Sequence, residues 1–353
     1  PVDSLTKVPV QEGRWLSEPS LWAHWIHVGT AEAFSQCQIL CIAAAGVVRT
    51  MQKHQVIKEI STEYSSHFHG RLVTAAPPTS HYPTDLLVPF TDFGEIVASM
   101  EHHLQVVIAR DALDWKQNSS APFAALDQVD LRKQKQKFPL HVRRQHKGAT
   151  RDSLEREVMQ GEAAIVLNGH GEVQRVVSLF AFQITREDDS DVFFVQLGIV
   201  EDSMIVAGCK LPGARMVRGE LPLDAAHRIL RSKLEPMADD VEIRRLEREE
   251  EWVEATDFPM KKQYLRTVAR ASMSVEVRAP TVRMEEPLVL DRDVLEELYV
   301  FHNSRKVTLH AWVERSDVEY LKGLEGEAKL VRWLAPLESE LGSPRSLPLG
   351  HNF

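Results

Sequence analysis

Apolar residues recur along this chain with two different periods, and the change of period divides it. In the first third the spacing is helical. Val47, Val48, Met51, Val56, Ile57, Ile60, Tyr64 and Phe68 fall near every third or fourth position, which predicts helix from Ala43 to Val73, stopped by Pro77-Pro78. Phe90, Phe93, Ile96, Val97, Met100, Leu104 and Val107 extend the pattern across residues 84–115. Ahead of these, Trp15, Leu16, Leu21, Trp22, Trp25 and Ile26 cluster before the turn Val28-Gly29-Thr30, and Phe34–Ile42 reads as a buried strand. From Ala163 onward, short apolar runs alternate with turns. Strands are predicted over Ala163–Leu167, Val173–Thr185, Val192–Val200, Met204–Cys209, Gln263–Val277 and Lys306–Val313, with Asn168-Gly169 as a turn. Pro222–Leu234 is predicted as a helix with its proline near the first turn, and Ser316–Leu324 as another capped by Ser316.

These elements give an α+β protein of several parts. Residues 1–115 form a first module, 116–161 a basic hinge with a connecting helix, 162–336 a second domain, and 337–353 a loose tail. The hinge prediction rests on the linker composition Asn118-Ser-Ser-Ala-Pro122 and on eight Lys/Arg with no acid between Leu131 and Arg151. Across all 353 residues, however, 42 basic side chains face 51 acidic ones, a net charge of −9. That balance argues against a general nucleic-acid binder. No apolar run approaches the roughly 18 residues that span a bilayer. The longest, Ile39–Val48, is rich in alanine, and no transmembrane segment is expected. Three cysteines make no disulfide framework, which suits the cytoplasm. The first residue is Pro rather than Met, which suits a fragment or a processed product.

The most informative stretch is Leu211–Leu234. Leu211-Pro212-Gly213 leads to Ala214; five residues ending in Gly219 then precede Glu220, and seven more lie between Glu220 and Arg228. This layout resembles the signature of the Nudix hydrolases, in which a loop and helix hold Mg²⁺ through carboxylates, and the resemblance covers about half the chain. It implies an α/β/α sandwich around a mixed sheet for residues 162–336. Gly213, Gly219, Glu220 and Arg228 match the loop and the start of the helix, and Ala225-Ala226 match its small residues. The match then fails where the chemistry lies. Ile229 takes the place of the first helical Glu, Ser232 and Lys233 replace the Glu pair, and Glu235-Pro236 replace the closing step. A hard divalent ion needs oxygen ligands, and an ammonium at the site repels it. The expectations are therefore no catalytic residue, no metal ligand and no cofactor, with Glu220 and Arg228 paired to hold the loop. Mg²⁺ enters only under the alternative of a pyrophosphohydrolase with relocated ligands. Glu247, Glu249 and Glu251 are the candidates for that role if they share one face of a strand, and Glu285-Glu286, predicted in a loop, are weaker ones.

A second resemblance lies in residues 13–33. Gly13, Glu18, Leu21, His27 and Ala33 fall on positions of the phosphate-binding cassette of cyclic-nucleotide-binding domains, whose Glu takes the ribose hydroxyl and whose Arg takes the phosphate. It implies the later part of a β-roll, with Gln36–Ile42 as its last strand, followed by C-terminal helices. His27 stands where the Arg belongs and Ser17 where a Gly belongs, so weak nucleotide binding or none is implied. The spacing His24-x-x-His27 with Cys37-x-x-x-Cys41 also invites a zinc reading, against which stands the packing of strand cysteines into a core. Together the residues point to a binding or regulatory protein, with a protein partner or upstream domains in a signalling assembly. A Nudix-type hydrolase and a cyclic-nucleotide receptor are the alternatives.

Overall fold

The computed structural model describes residues 7–117, 151–201, 204–254, 260–274, 276–303 and 306–337. The basic run 131–150 and the predicted tail beyond 337 lie outside them. The chain divides into two compact units. One comprises Pro1–Arg175 with Ala255–Met260, the other Val176–Glu254 with Lys261–Phe353. As the sequence predicts, helices and strands are both abundant, and among the described residues no helix is long and apolar enough to cross a membrane.

The first unit is built from helices α1 (Pro19–Trp22), α2 (Ala44–Met51), α3 (Gln55–Thr74), α4 (Phe93–Ser99), α5 (His102–Gln117) and α6 (Arg151–Met159), with strand β1 (Ala164–Leu167). Helix α3 ends three residues before the proline pair, as expected. Its inward side carries Tyr64 and Phe68, which meet Trp22 at centroid distances of 4.9 and 6.2 Å. Val106, Ala109 and Leu113 of α5 pack with Leu154 and Val158 of α6 and Ile165 of β1 into a second core. Arg151 ties α6 back to α5 through Asp114 at 2.5 Å, and Arg110 reaches Glu155 at 3.1 Å. Residues 84–92, predicted as helix, are not helical; Pro89 lies among them and disfavours a helical preceding residue.

One prediction fails outright. The segment Phe34–Ile42 is not a strand, and among the described residues 7–117 there are no strands, so the partial β-roll does not form. The reason is physical. A strand needs a neighbour for its backbone groups and a face to bury. Here Phe34 is 86% and Leu40 87% exposed. Cys37 and Cys41 are also exposed, not core cysteines.

The second unit is a sheet with helices. Its strands are β2 (Val173–Arg186), β3 (Val192–Glu201), β4 (Met204–Lys210), β5 (Gly213–Arg215), β6 (Val241–Glu254), β7 (Lys261–Met273), β8 (Thr281–Val289), β9 (Val294–Asn303) and β10 (Lys306–Glu314). Seven of them run in the order β6-β7-β2-β3-β10-β9-β8, with β4 on β3 and β5 on β2. β2 and β7 advance in step, since Thr185 bonds to Ala271 and Glu187 to Met273, whereas β3, β10, β9 and β8 are antiparallel neighbours. The sheet is therefore mixed. The β8–β9 hairpin replaces the loop predicted at Glu285-Glu286.

Strand alternation sorts the two faces. Val195 and Leu197 of β3, and Leu309, Ala311 and Val313 of β10, join Val318, Leu321, Leu330, Trp333 and Leu334 of α8 (Arg315–Lys322) and α9 (Leu324–Leu334) in one core. Helix α8 is capped by Glu314, whose carboxylate accepts from the Ser316 N–H, rather than by Ser316. Phe194, His310 and Phe301 turn the other way. Phe194 and His310 are stacked at 5.1 Å with rings 3° from parallel. Helix α7 (Pro222–Lys233) lies against β9 and β5, and none of its buried residues belongs to the α8–α9 core. Its inward stripe is Ala225, Ala226, Ile229 and Leu230, positions that share one face of a helix. The two alanines let the helix backbone come close, and Ile229 is completely buried.

Ile229→Ala should therefore cost about 2–4 kcal/mol of stability, since it deletes buried methyl groups and leaves a cavity. Ser232→Ala, on the exposed side of the same helix, should stay within about 0.5 kcal/mol of the parent. Denaturant unfolding of the two variants measures the difference.

Candidate functional site

The loop before α7 is closed by an ion pair. Gly213 in β5 lies against the backbone of β2, where a Cβ would stand 2.3 Å from the Phe180 carbonyl oxygen, so only glycine fits. Gly219, at φ +74°, turns the chain toward the helix. Glu220 follows. One of its oxygens accepts from Arg228 Nε at 2.6 Å, and the other accepts from Arg228 Nη2 and from the Val217 N–H, both at 2.9 Å. Arg228 Nη2 also donates to the Arg215 carbonyl at 3.1 Å. Asp224 reaches back to the Leu221 N–H at 3.2 Å, and Pro222 needs no partner at the first turn. Glu220 is 9% exposed and both its oxygens are engaged, as the sequence led us to expect.

The far end of α7 is basic. Lys233 Nζ donates to the Gly213 carbonyl at 2.7 Å. Burial, and then the charges of Lys210, Arg228 and Lys306, hold its ammonium below the ordinary lysine range. Burial and then Lys306 do the same to Lys210. His310, on the floor beneath, bonds through Nε2 to Thr308 Oγ at 2.9 Å; burial, followed by Lys210 and Lys233, pushes its pKa down to about 3. The ring is therefore neutral at physiological pH. Position 229 is core and position 232 faces solvent, so of the three positions where the resemblance expects helical carboxylates only Lys233 bears a charge.

Two of the acids proposed as relocated ligands, Glu247 and Glu249, are occupied by arginines. Glu247 pairs with Arg245 and Arg270, each at 2.6 Å, and Glu249 with Arg266 and Arg270. The pairs with Arg266 and Arg270 cross from β6 to β7, whereas Arg245 lies on the same strand as Glu247. Among the described residues no group of three or more His, Cys, Asp or Glu is arranged to hold a metal ion. Cys209 packs against the α8–α9 core, and burial, the largest effect, pushes its thiol up to about 12, where no useful thiolate exists.

In the first unit the residues matched to the cyclic-nucleotide cassette are used internally. Glu18 points into the aromatic cluster and accepts from Trp22 Nε1 at 3.4 Å and Tyr64 Oη at 3.5 Å; burial raises its pKa. Leu21 is half-buried, whereas Gly13 and Ala33 are exposed. His27 and Ser17 converge on a residue the sequence did not single out, Asp85. Its Oδ1 accepts from Ser17 Oγ at 2.6 Å, Trp25 Nε1 at 2.9 Å and His27 Nδ1 at 2.8 Å, while Oδ2 accepts from the Val28 N–H. Ser17 Oγ also lies 3.1 Å from the same His27 nitrogen. This is no nucleophile relay, which needs the two ring nitrogens to face the acid and the hydroxyl separately. Asp85 lies about sixty positions from its partners in sequence, beyond any local spacing signal.

Burial alone would raise the Asp85 pKa, but the four hydrogen bonds outweigh it and bring the value down to about 2. A carboxyl whose folded pKa lies below its unfolded one contributes stability that is complete above the unfolded value and lost as pH falls through the folded value. Backbone amides of residues 17–28 should keep constant exchange protection down to about pH 4, the ordinary carboxyl range, and lose it between there and about pH 2. Asp85→Ala should remove that protection at neutral pH while leaving amides of α5 unchanged. Hydrogen exchange followed by mass spectrometry reads both outcomes.

No family model and no curated protein matches this chain.

Proposed function

We propose that the chain is a non-catalytic binding or regulatory protein, with a Nudix-like second unit, an α/β/α sandwich that keeps the scaffold of a phosphate-handling site without its metal. One observation carries the reading. Both oxygens of Glu220 are committed to Arg228 and Val217, and the ammonium of Lys233 sits on the Gly213 carbonyl where the resemblance places a carboxylate. Stripping Mg²⁺ of its waters requires anionic ligands, and a cation in that position opposes it.

The helical first unit serves as an interaction module, and the whole as a cytoplasmic part of a larger signalling protein or assembly. The cyclic-nucleotide alternative loses support, because Glu18 is turned into the Trp22–Tyr64 cluster and His27 is engaged by Asp85. The relocated-ligand hydrolase loses support from the pairing of Glu247 and Glu249 with arginines.

Steady-state assays with nucleoside diphosphate and dinucleotide substrates, in Mg²⁺ or Mn²⁺, test the proposal. Product formation should not exceed the buffer rate, and Glu220→Gln should change nothing in that assay. Metal-dependent turnover that disappears in Glu220→Gln would make the protein an enzyme.

A further inference from the structure

Four cations gather where α7 ends above the sheet, and only two bring an acid with them. Arg228 is paired with Glu220, and Lys306 with Glu201. Neither Lys210 nor Lys233 forms a close ion pair with a carboxylate among the described residues, although the charge of Glu201 reaches Lys210. From this arrangement we propose that Lys210, Lys233 and Lys306 hold a multivalent phosphate anion directly, without a metal ion. The proposal deepens the non-catalytic reading and rests on it, since a carboxylate-held metal and a bare lysine cluster exclude each other at one site.

The placement of the three lysines follows from register and bonding. Lys210 closes β4 opposite Gln196 of β3, and Gln196 in turn stands opposite His310 of β10. Lys210, Gln196 and His310 thus form a row across three neighbouring strands. Lys306, Thr308 and His310 alternate along β10 and share its α7-facing side. Lys233 is fixed by its 2.7 Å bond to the carbonyl of Gly213, three residues beyond Lys210. Burial and then the charge of Lys306 depress Lys210 against the pull of Glu201, and burial and then the charges of Lys210, Arg228 and Lys306 depress Lys233. Beneath them lie the buried side chains of Gln196, Thr308 and His310, a polar floor in a sheet face otherwise made of Phe194 and Phe301.

Like charges held on α7, β4 and β10, two of them without a close ion-pair partner, cost free energy that a counter-anion recovers. The chain as a whole carries net charge −9, so the cluster is a local inversion of sign that focuses anions toward one spot. A monovalent carboxylate offers too little charge to answer both free lysines. A diphosphate offers several oxygens spread over a few ångströms, matching donors on a helix and two strands, and lysine suits phosphate as a mobile point charge. The anion is either free pyrophosphate or the diphosphate of a nucleotide; the chemistry at the lysines is the same.

Calorimetry on the full chain in EDTA, with inorganic pyrophosphate in one arm and a nucleoside diphosphate in the other, tests this. Binding should persist without divalent metal, weaken as salt rises, and drop at least about tenfold in Lys210→Gln and in Lys233→Gln, each of which loses a charge-assisted contact. Lys329→Gln, whose lysine bonds to the Val289 carbonyl away from the cluster, should bind as the parent does. Tighter binding in the nucleotide arm assigns the anion to a nucleotide, and equal binding assigns it to free phosphate; either supports the site. Thermal unfolding guards against misfolding. Without anion, both lysine variants should unfold cooperatively, Lys210→Gln no lower than the parent because a repulsion has been removed, and pyrophosphate should raise the parent's midpoint more than theirs. Absence of binding in both arms, or affinity unchanged in both variants, would overturn the inference while leaving the lack of turnover intact. Metal-dependent turnover would instead overturn the non-catalytic reading and is read in a separate assay.

Discussion

The bidentate pair between Glu220 and Arg228 organises the second unit's loop, and the other features around α7 are arranged about it. The pair joins the residue that ends the loop to one two turns into the helix, while Arg228 also holds the Arg215 carbonyl in β5. With one end of the loop anchored to β2 through Gly213 and the other to α7 through Glu220, the helix lies close enough to the sheet for Ala225, Ala226 and Ile229 to be fully buried. The same pairing settles the chemistry available to Glu220. A carboxylate whose two oxygens are each within 3 Å of a guanidinium has little left to offer a metal ion.

The far end of α7 departs further. Ile229 contributes packing, Ser232 faces water, and Lys233 contributes a positive charge. The charges gathered at this end of the helix are therefore positive ones supplied by the protein itself. In the first unit the roles also shift: residues spaced like ligand contacts become internal ties, with Glu18 facing tyrosine and tryptophan and His27 pinned by Asp85.

Legibility in the sequence followed the range of the interactions. Elements with a strong period and clear punctuation were readable: α3 before the proline pair, β2 through β4, and α7 with its proline. The Glu220–Arg228 pair was readable too, since its members lie on one short loop-helix. What failed had no local signature. The run Phe34–Ile42 has strand composition, yet strand formation depends on a partner that composition does not reveal. The β8–β9 hairpin hid behind Glu285-Glu286, whose charges resemble a loop and sit, both exposed, where the strand register slips between Arg283 and Leu288. Asp85 and the lysine row were invisible because their members come from segments dozens of residues apart, joined only by strand register and tertiary packing.

The central claim is that the end of α7 repels divalent cations. Paramagnetic broadening by Mn²⁺ tests it most directly, because a bound ion erases the amide resonances around it. Titration of the isotope-labelled chain should leave the signals of residues 220–233 as sharp as those of α9. Selective loss of the Glu220, Arg228 and Lys233 resonances at low Mn²⁺ would place a metal where the account puts only lysine charge, and would contradict it.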